Sequence, residues 1–157
     1  MPALRDSVSV RRTLRHHDTH GETPTDSVCE AMVVADLMRG PLPSLPSETP
    51  IADGEAALIA TGGERLLLTD AAGGVCGIVC AATLLRCRLI GLGEAQTLGD
   101  LAGRCLLTCR PTDRLEAIAP QFREARHSLA IVLDDGRAVG TVHRLDLLRW
   151  LVARQSD

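Results

Sequence analysis

Few residues in this chain have types and spacing that could do chemistry. His143 and Asp146 stand three apart where an Arg-Leu-Asp-Leu-Leu run begins to read as a helix. An imidazole and a carboxylate one turn apart could move a proton. The same spacing at a helix start also serves capping, with the carboxylate opposing the macrodipole. No Ser-His-Asp constellation, phosphate-binding loop or metal-hydrolase helix accompanies the pair, so the chain is not expected to be an enzyme. Soft metal ligands are present in two forms: His16, His17 and His20 near the N-terminus, and Cys76/Cys80 and Cys105/Cys109 at four-residue spacing. On a strand, residues four apart share a face, so each cysteine pair could point one way. Their apolar neighbours fit a plain core equally well. There is no CxxC among the six cysteines. With no apolar export signal either, reduced thiols, no metal and a cytoplasmic location are expected.

These residues sit in a sequence that repeats once. ADLM at 35–38 returns as GDLA at 99–102, and GGVCGIVCAATLL at 73–85 returns as GRAVGTVHRLDLL at 136–148. Asp36 and Asp100 are 64 residues apart, and Thr83 and Asp146 are 63 apart. One extra residue near Ala72, in the first turn, explains the difference. A repeat that occurs twice and fills the folded region implies two units packed on each other.

The local signals are alike in both copies. Residues 1–24 are polar and basic without periodicity and read as a mobile arm. Thr25 or Asp26 could cap a helix with Cys29, Met32, Val33 and Leu37 on one face, ended by Gly40-Pro41. Prolines 41, 43, 46 and 50 then force extended chain. A helix is expected over 51–60, strands over 65–69 and 75–80 around an Asp70–Gly74 turn, and a helix over 81–89. The second copy predicts a helix over 97–102, extended chain over 106–109 and a turn at 111–113. A helix over 115–126, strands over 129–133 and 138–142, and a helix over 145–154 follow. The fold class is thus α/β (α+β), each unit α-β-α-β-β-α. The units span 25–92 and 93–155, with 156–157 a tail. Short uninterrupted apolar strands imply sheets covered by helices.

Composition narrows the function classes. Hydrophobic content of 45% and charged content of 24% are those of a globular protein. A net charge of −3, with every basic side chain an arginine, gives no reason to expect nucleic acid or an anionic membrane. Phe122 and Trp150 are the only aromatics, too few for a base-stacking platform. The longest uncharged stretch, 71–85, is too short to span a bilayer.

Each unit resembles a CBS domain. The resemblance is carried by Asp36-Leu37-Met38, Thr49-Pro50, Asp70–Gly73 and Gly77–Leu85 in copy one. In copy two it is carried by Asp100-Leu101, Pro111-Thr112, Asp134–Gly136 and Gly140–Leu148, and it covers about residues 30–155. It implies a tandem pair (a Bateman module) with pseudo-twofold symmetry, often a homodimer, that binds AMP, ADP, ATP or S-adenosylmethionine between the copies. Such a module regulates a partner protein and needs no cofactor. Interfaces between units are where small-molecule sites form.

The resemblance also implies site residues. Asp146 stands at the ribose-binding Asp, and His143 stands where Thr or Ser is usual. Thr141, Arg144, His127 and Arg126 would lie on the ribose and phosphate side, and Met38, Leu42, Pro43 and Gly63 on the adenine walls. A weaker second cleft would use Ile78, Cys80, Thr83, Ala102 and Leu107, because Thr83 replaces the Asp. Thr83 could still cap its helix. One adenosine-type ligand in the Asp146 cleft is the leading expectation. The alternative is an interaction module without ligand, dimerising through helices 81–89 and 147–152 with Trp150 as anchor. A metal-binding regulator is a third reading.

Overall fold

The computed structural model describes residues 31–124 and 127–156, and residues 10–12 by their backbone. In chain order the elements are β1 (Val10–Arg12), α1 (Val34–Leu37), β2 (Ser44–Pro46), α2 (Ile51–Thr61), β3 (Arg65–Thr69), β4 (Val75–Cys80) and α3 (Ala81–Ile90). Then come α4 (Leu98–Leu101), β5 (Leu106–Cys109), α5 (Leu115–Ile118) with a 3-10 turn over Ala119–Arg123, β6 (Leu129–Asp134), β7 (Arg137–His143) and α6 (Arg144–Gln155). From α1 onward this is α-β-α-β-β-α stated twice.

Three departures have identifiable causes. The helix expected from residue 25 is, among the described residues, the single turn α1; residues 25–30 lie outside them. Val33 is extended and bridges Arg114, and its amide donates to the Asp36 carboxylate at 2.9 Å. Thr97 and Asp100 repeat that device at 3.0 Å ahead of α4. The helix expected to reach Arg126 stops at Ile118. Pro120 has no N–H to offer the Glu116 carbonyl, and the chain tightens into a 3-10 turn. Val10–Arg12, read as part of a mobile arm, form β1, a parallel edge strand on β5.

The hairpins follow from turn chemistry. Asp135 and Gly136 take positive φ (49° and 77°), the pattern of a tight Asp-Gly turn. In copy one the Asp70 carboxylate accepts from the amides of Ala72 and Gly74, and the turn is one residue longer. The strands form two sheets, ordered β2-β3-β4 and β1-β5-β6-β7, with parallel β2·β3 and β5·β6 pairs and antiparallel hairpins.

The two units exchange their leading helices. Val34, with Leu37 and Met38 beside it, is buried among Leu107, Leu115, Val132, Val142 and Trp150 of the second unit. Leu98, with Leu101 and Ala102, is buried among Ile51, Leu58, Leu66 and Val79 of the first. Between the sheets lies a third cluster of Leu67, Leu129 and Ile131, flanked by Leu42 and Ile78. Glycines let the exchanged segments cross the strands. A Cβ on Gly140 would meet the Arg39 carbonyl at 2.5 Å, and one on Gly77 would meet the Ala102 Cβ at 2.9 Å.

Trp150 is 7% exposed and belongs to the core, so it is no dimer anchor. The large exposed apolar residues of the same helices are Leu85, Leu89 and Ile90 on α3, and Leu145, Leu148, Leu151 and Val152 on α6.

Candidate functional site

β7 runs into α6 without a loop, so Asp146 is the third residue of that helix, beside its free amides. α1 ends in an extended Met38, and the chain then crosses β7 as a bridge. The Arg39 amide donates to the Thr141 carbonyl at 2.8 Å, and the Thr141 amide returns a bond to the Arg39 carbonyl at 3.1 Å. This fixes the Arg39 backbone over the strand and points its side chain at Asp146. Arg39 Nε donates to Oδ2 and Nη2 to Oδ1, both at 2.8 Å, a bidentate pair. Arg149 Nη1 stands 3.8 Å from Oδ1. The Asp146 side chain is 10% exposed and that of Arg39 is 53% exposed.

The charges act on one another. Hydrogen bonding from Arg39 holds the Asp146 carboxyl below the usual range, against the opposing pull of burial. Asp146 in turn raises the Arg39 guanidinium. Burial lowers the His143 imidazole, the Arg39 and Arg65 charges add to this, and Asp146 opposes it. His143 therefore favours its neutral form, with Nε2 3.4 Å from the Thr141 hydroxyl. Arg65 Nη2 donates to Ser128 Oγ at 2.8 Å, across the boundary between copies.

Asp146, His143 and Thr141 are thus brought together at the junction of β7 and α6. Thr141 is buried, and its hydroxyl lies 3.5 Å from the Gly40 carbonyl. Met38 is half-buried against the second core, Leu42 packs on the inter-sheet cluster, and the Pro43 carbonyl accepts from the Leu67 amide. Gly63 is half-buried after α2. The Arg144 side chain is exposed, and its amide bonds the Ser128 carbonyl. His127 shares a cavity of about 420 Å³ with Leu107, Pro120, Gln121 and Arg123, which puts it with a residue assigned to the other cleft. Arg126, His16, His17 and His20 lie outside the described residues.

Sequence reasoning missed Arg39. The signal was available: Arg39 follows Asp36-Leu37-Met38, whereas Gly103 follows Asp100-Leu101-Ala102. That contrast runs parallel to Asp146 against Thr83.

The second cleft is built on the same bridge without the charges. Gly103 and Ile78 exchange amide-to-carbonyl bonds at 2.9 and 3.0 Å. The Thr83 hydroxyl lies 3.2 Å from Cys80 Sγ and does not cap α3. Burial pushes the Cys80 thiol up, but Thr83, the amides of Ala82 and Thr83, and the Arg65 charge together bring it below its usual value. Cys76 is half-buried, Cys105 exposed and Cys109 buried, so the second cysteine pair does not share one environment. Among the described residues no three His, Cys, Asp or Glu side chains are grouped to hold a metal ion. Nor is any described helix long and apolar enough to cross a membrane.

Residues 98–153 match the CBS domain family. The whole architecture matches solved CBS pairs. One is the CBS domain pair of protein MJ0100 in complex with 5′-methylthioadenosine and S-adenosyl-L-methionine. It is 21% identical, with a TM-score of 0.63 over 79% of this chain and 98% of that one. The chain folds as a tandem pair of CBS domains. A second such neighbour is CBSX2 in complex with AMP, 24% identical, TM-score 0.62, covering 78% of this chain and 98% of that one. A third is the CBS-domain protein ATU1752 from Agrobacterium tumefaciens, 18% identical, TM-score 0.61, covering 80% and 98%. None of the curated proteins matches the chain. In this chain the repeat read from the sequence is the repeat of the fold, with the leading helices exchanged.

Proposed function

We propose that this CBS pair is a regulatory module that binds an adenosine-type nucleotide in the cleft at Asp146 and passes the signal to a partner protein. The observation that carries the reading is the placement of the Asp146 carboxylate. It sits at a helix N-terminus, with both oxygens turned toward the segment crossing from the other unit. A carboxylate so placed suits the two hydroxyls of a ribose, and helix amides suit a phosphate. Two structural neighbours hold adenosine-type ligands. The cleft with Thr83 lacks the carboxylate, so one ligand per chain is expected.

The test is a thermal-shift series with AMP, ADP, ATP and S-adenosylmethionine on the full chain and on Asp146→Asn. At a hundred times its Kd, a ligand adds about 2.7 kcal/mol, a rise of roughly 5–11 °C for a chain this long. A shift with one adenine ligand that Asp146→Asn abolishes supports the reading. Cooperative unfolding with no shift supports instead an interaction module without ligand. The exposed apolar residues of α3 and α6 favour self-association in either case. Sedimentation of Leu89→Glu against the unmodified chain tests a homodimer through those helices.

A further inference from the structure

The Asp146 cleft contains its own competitor. Arg39 makes the bidentate contact that a ribose would need, and its anchored backbone leaves only the side chain free to move. Two guanidinium groups stand at this carboxylate, and a third reaches Ser128 from the other unit. Arg39 is in contact, Arg149 is at 3.8 Å, and Arg65 reaches Ser128, whose carbonyl bonds the first residue of α6. In the other cleft both members of the pair are replaced, by Gly103 and Thr83.

A diol that takes the Asp146 oxygens displaces the Arg39 guanidinium from them and leaves it without its bidentate acceptor. A nucleoside without an anionic group, such as adenosine, offers nothing in return. A nucleoside carrying a phosphate offers the planar guanidinium a second bidentate acceptor within the same cleft. We propose that Arg39 is a specificity-determining residue that exchanges Asp146 for the phosphate of the ligand. The cleft then selects phosphorylated nucleosides over uncharged ones. This deepens the nucleotide-binding reading and rests on it.

The half-exposed side chain of Arg39 makes that exchange accessible, since the guanidinium can leave Asp146 without moving the core. The exchange also sets a sign for each ligand. Removing Arg39 takes a competitor away from an uncharged nucleoside, and a partner away from a phosphorylated one.

Titration calorimetry with AMP and with adenosine, on the full chain and on Arg39→Ala, reads both signs. The unmodified chain is expected to bind AMP at least tenfold more tightly than adenosine. In Arg39→Ala the AMP affinity falls and the adenosine affinity rises at least threefold, so the preference shrinks to under threefold. Arg39→Gln keeps a donor for Asp146 without the charge and is also expected to lose the preference for AMP. It covers the case in which Arg39→Ala does not fold. Equal affinities in the unmodified chain, or a preference that survives both substitutions, would overturn the role of Arg39 and leave the cleft assignment standing. Binding of neither ligand to any variant would overturn the cleft assignment, and this inference with it.

Discussion

Replacing Gly140 by Ala tests whether the crossing of the two units is as tight as the structure has it. Gly140 lies on β7 where the segment after α1 passes, and its added Cβ would sit 2.5 Å from the Arg39 carbonyl oxygen and 3.1 Å from the Met38 sulfur. The oxygen belongs to the backbone and cannot rotate away. The segment must lift by most of an ångström, and the pair of amide bonds between Arg39 and Thr141 lengthens with it. Overpacking of this kind costs about 1–3 kcal/mol, and weakening two backbone bonds adds about 1 kcal/mol. A loss near 3 kcal/mol lowers Tm by roughly 6–12 °C in a chain of this length. Two controls bracket the effect. Gly77→Ala, at the equivalent crossing, meets the Ala102 Cβ at 2.9 Å and should cost a comparable amount, because that Cβ is fixed to its backbone and cannot rotate away. Gly40→Ala has nothing within 4 Å and no positive φ, so it should stay within about 0.5 kcal/mol of the unmodified chain. Urea unfolding at constant m-value reads all three. If Gly140→Ala were as stable as Gly40→Ala, the exchanged packing of α1 would be wrong.

Two further expectations follow from the charges and the thiols. Because Arg39 depresses the Asp146 carboxyl below its unfolded value of about 3.9, the stability from that pair is fully present above about pH 5. It is lost as pH falls through the folded pKa. The stability gap between the unmodified chain and Arg39→Ala should therefore narrow as pH falls below about 5, and a gap of constant size down to low pH would exclude the pair as its source. Among the cysteines, burial with the Asp113 charge pushes the Cys109 thiol up to about 12, whereas Cys105 is exposed. Mass spectrometry after brief iodoacetamide treatment at pH 8 should find Cys105 modified first, Cys80 ahead of Cys76, and Cys109 protected; equal labelling of Cys105 and Cys109 in the folded chain would contradict their placement.

The strands were legible because their signals are local. Arg65–Thr69, Val75–Cys80 and Leu106–Cys109 are apolar runs bracketed by Gly, Asp or Pro, and their ends fall where the sequence puts them. The short helices were less legible because their limits are tertiary. Met32, Val33 and Leu37 have helical spacing, yet Val33 is held extended by its bridge to Arg114, a partner 81 residues away. α5 is cut short by Pro120, a signal that was present but was outweighed by the apolar residues around it. At the site, Asp146, His143 and Thr141 were legible because one strand-to-helix junction carries them all. Arg39 was not, because it arrives from the other unit, and only a comparison of the copies residue by residue would have flagged it.

That comparison bears on why a duplicated scaffold holds two unequal clefts. The bridge, the strand glycine and the capping Asp are kept in both copies: Arg39·Thr141 and Gly103·Ile78, Gly140 and Gly77, Asp36 and Asp100. Each of these positions carries backbone geometry that the exchanged helices need, so neither copy can lose it without opening the interface. The positions that differ carry charge. Arg39 with Asp146 in one cleft stands against Gly103 with Thr83 in the other, and either change made alone would break the bidentate pair. Without Arg39, Asp146, 8% exposed, would keep only Arg149 at 3.8 Å and lose the two hydrogen bonds that hold its carboxyl below the usual range. The two positions are therefore coupled by electrostatics although 107 residues separate them. The cleft that keeps both has a reason beyond packing to do so.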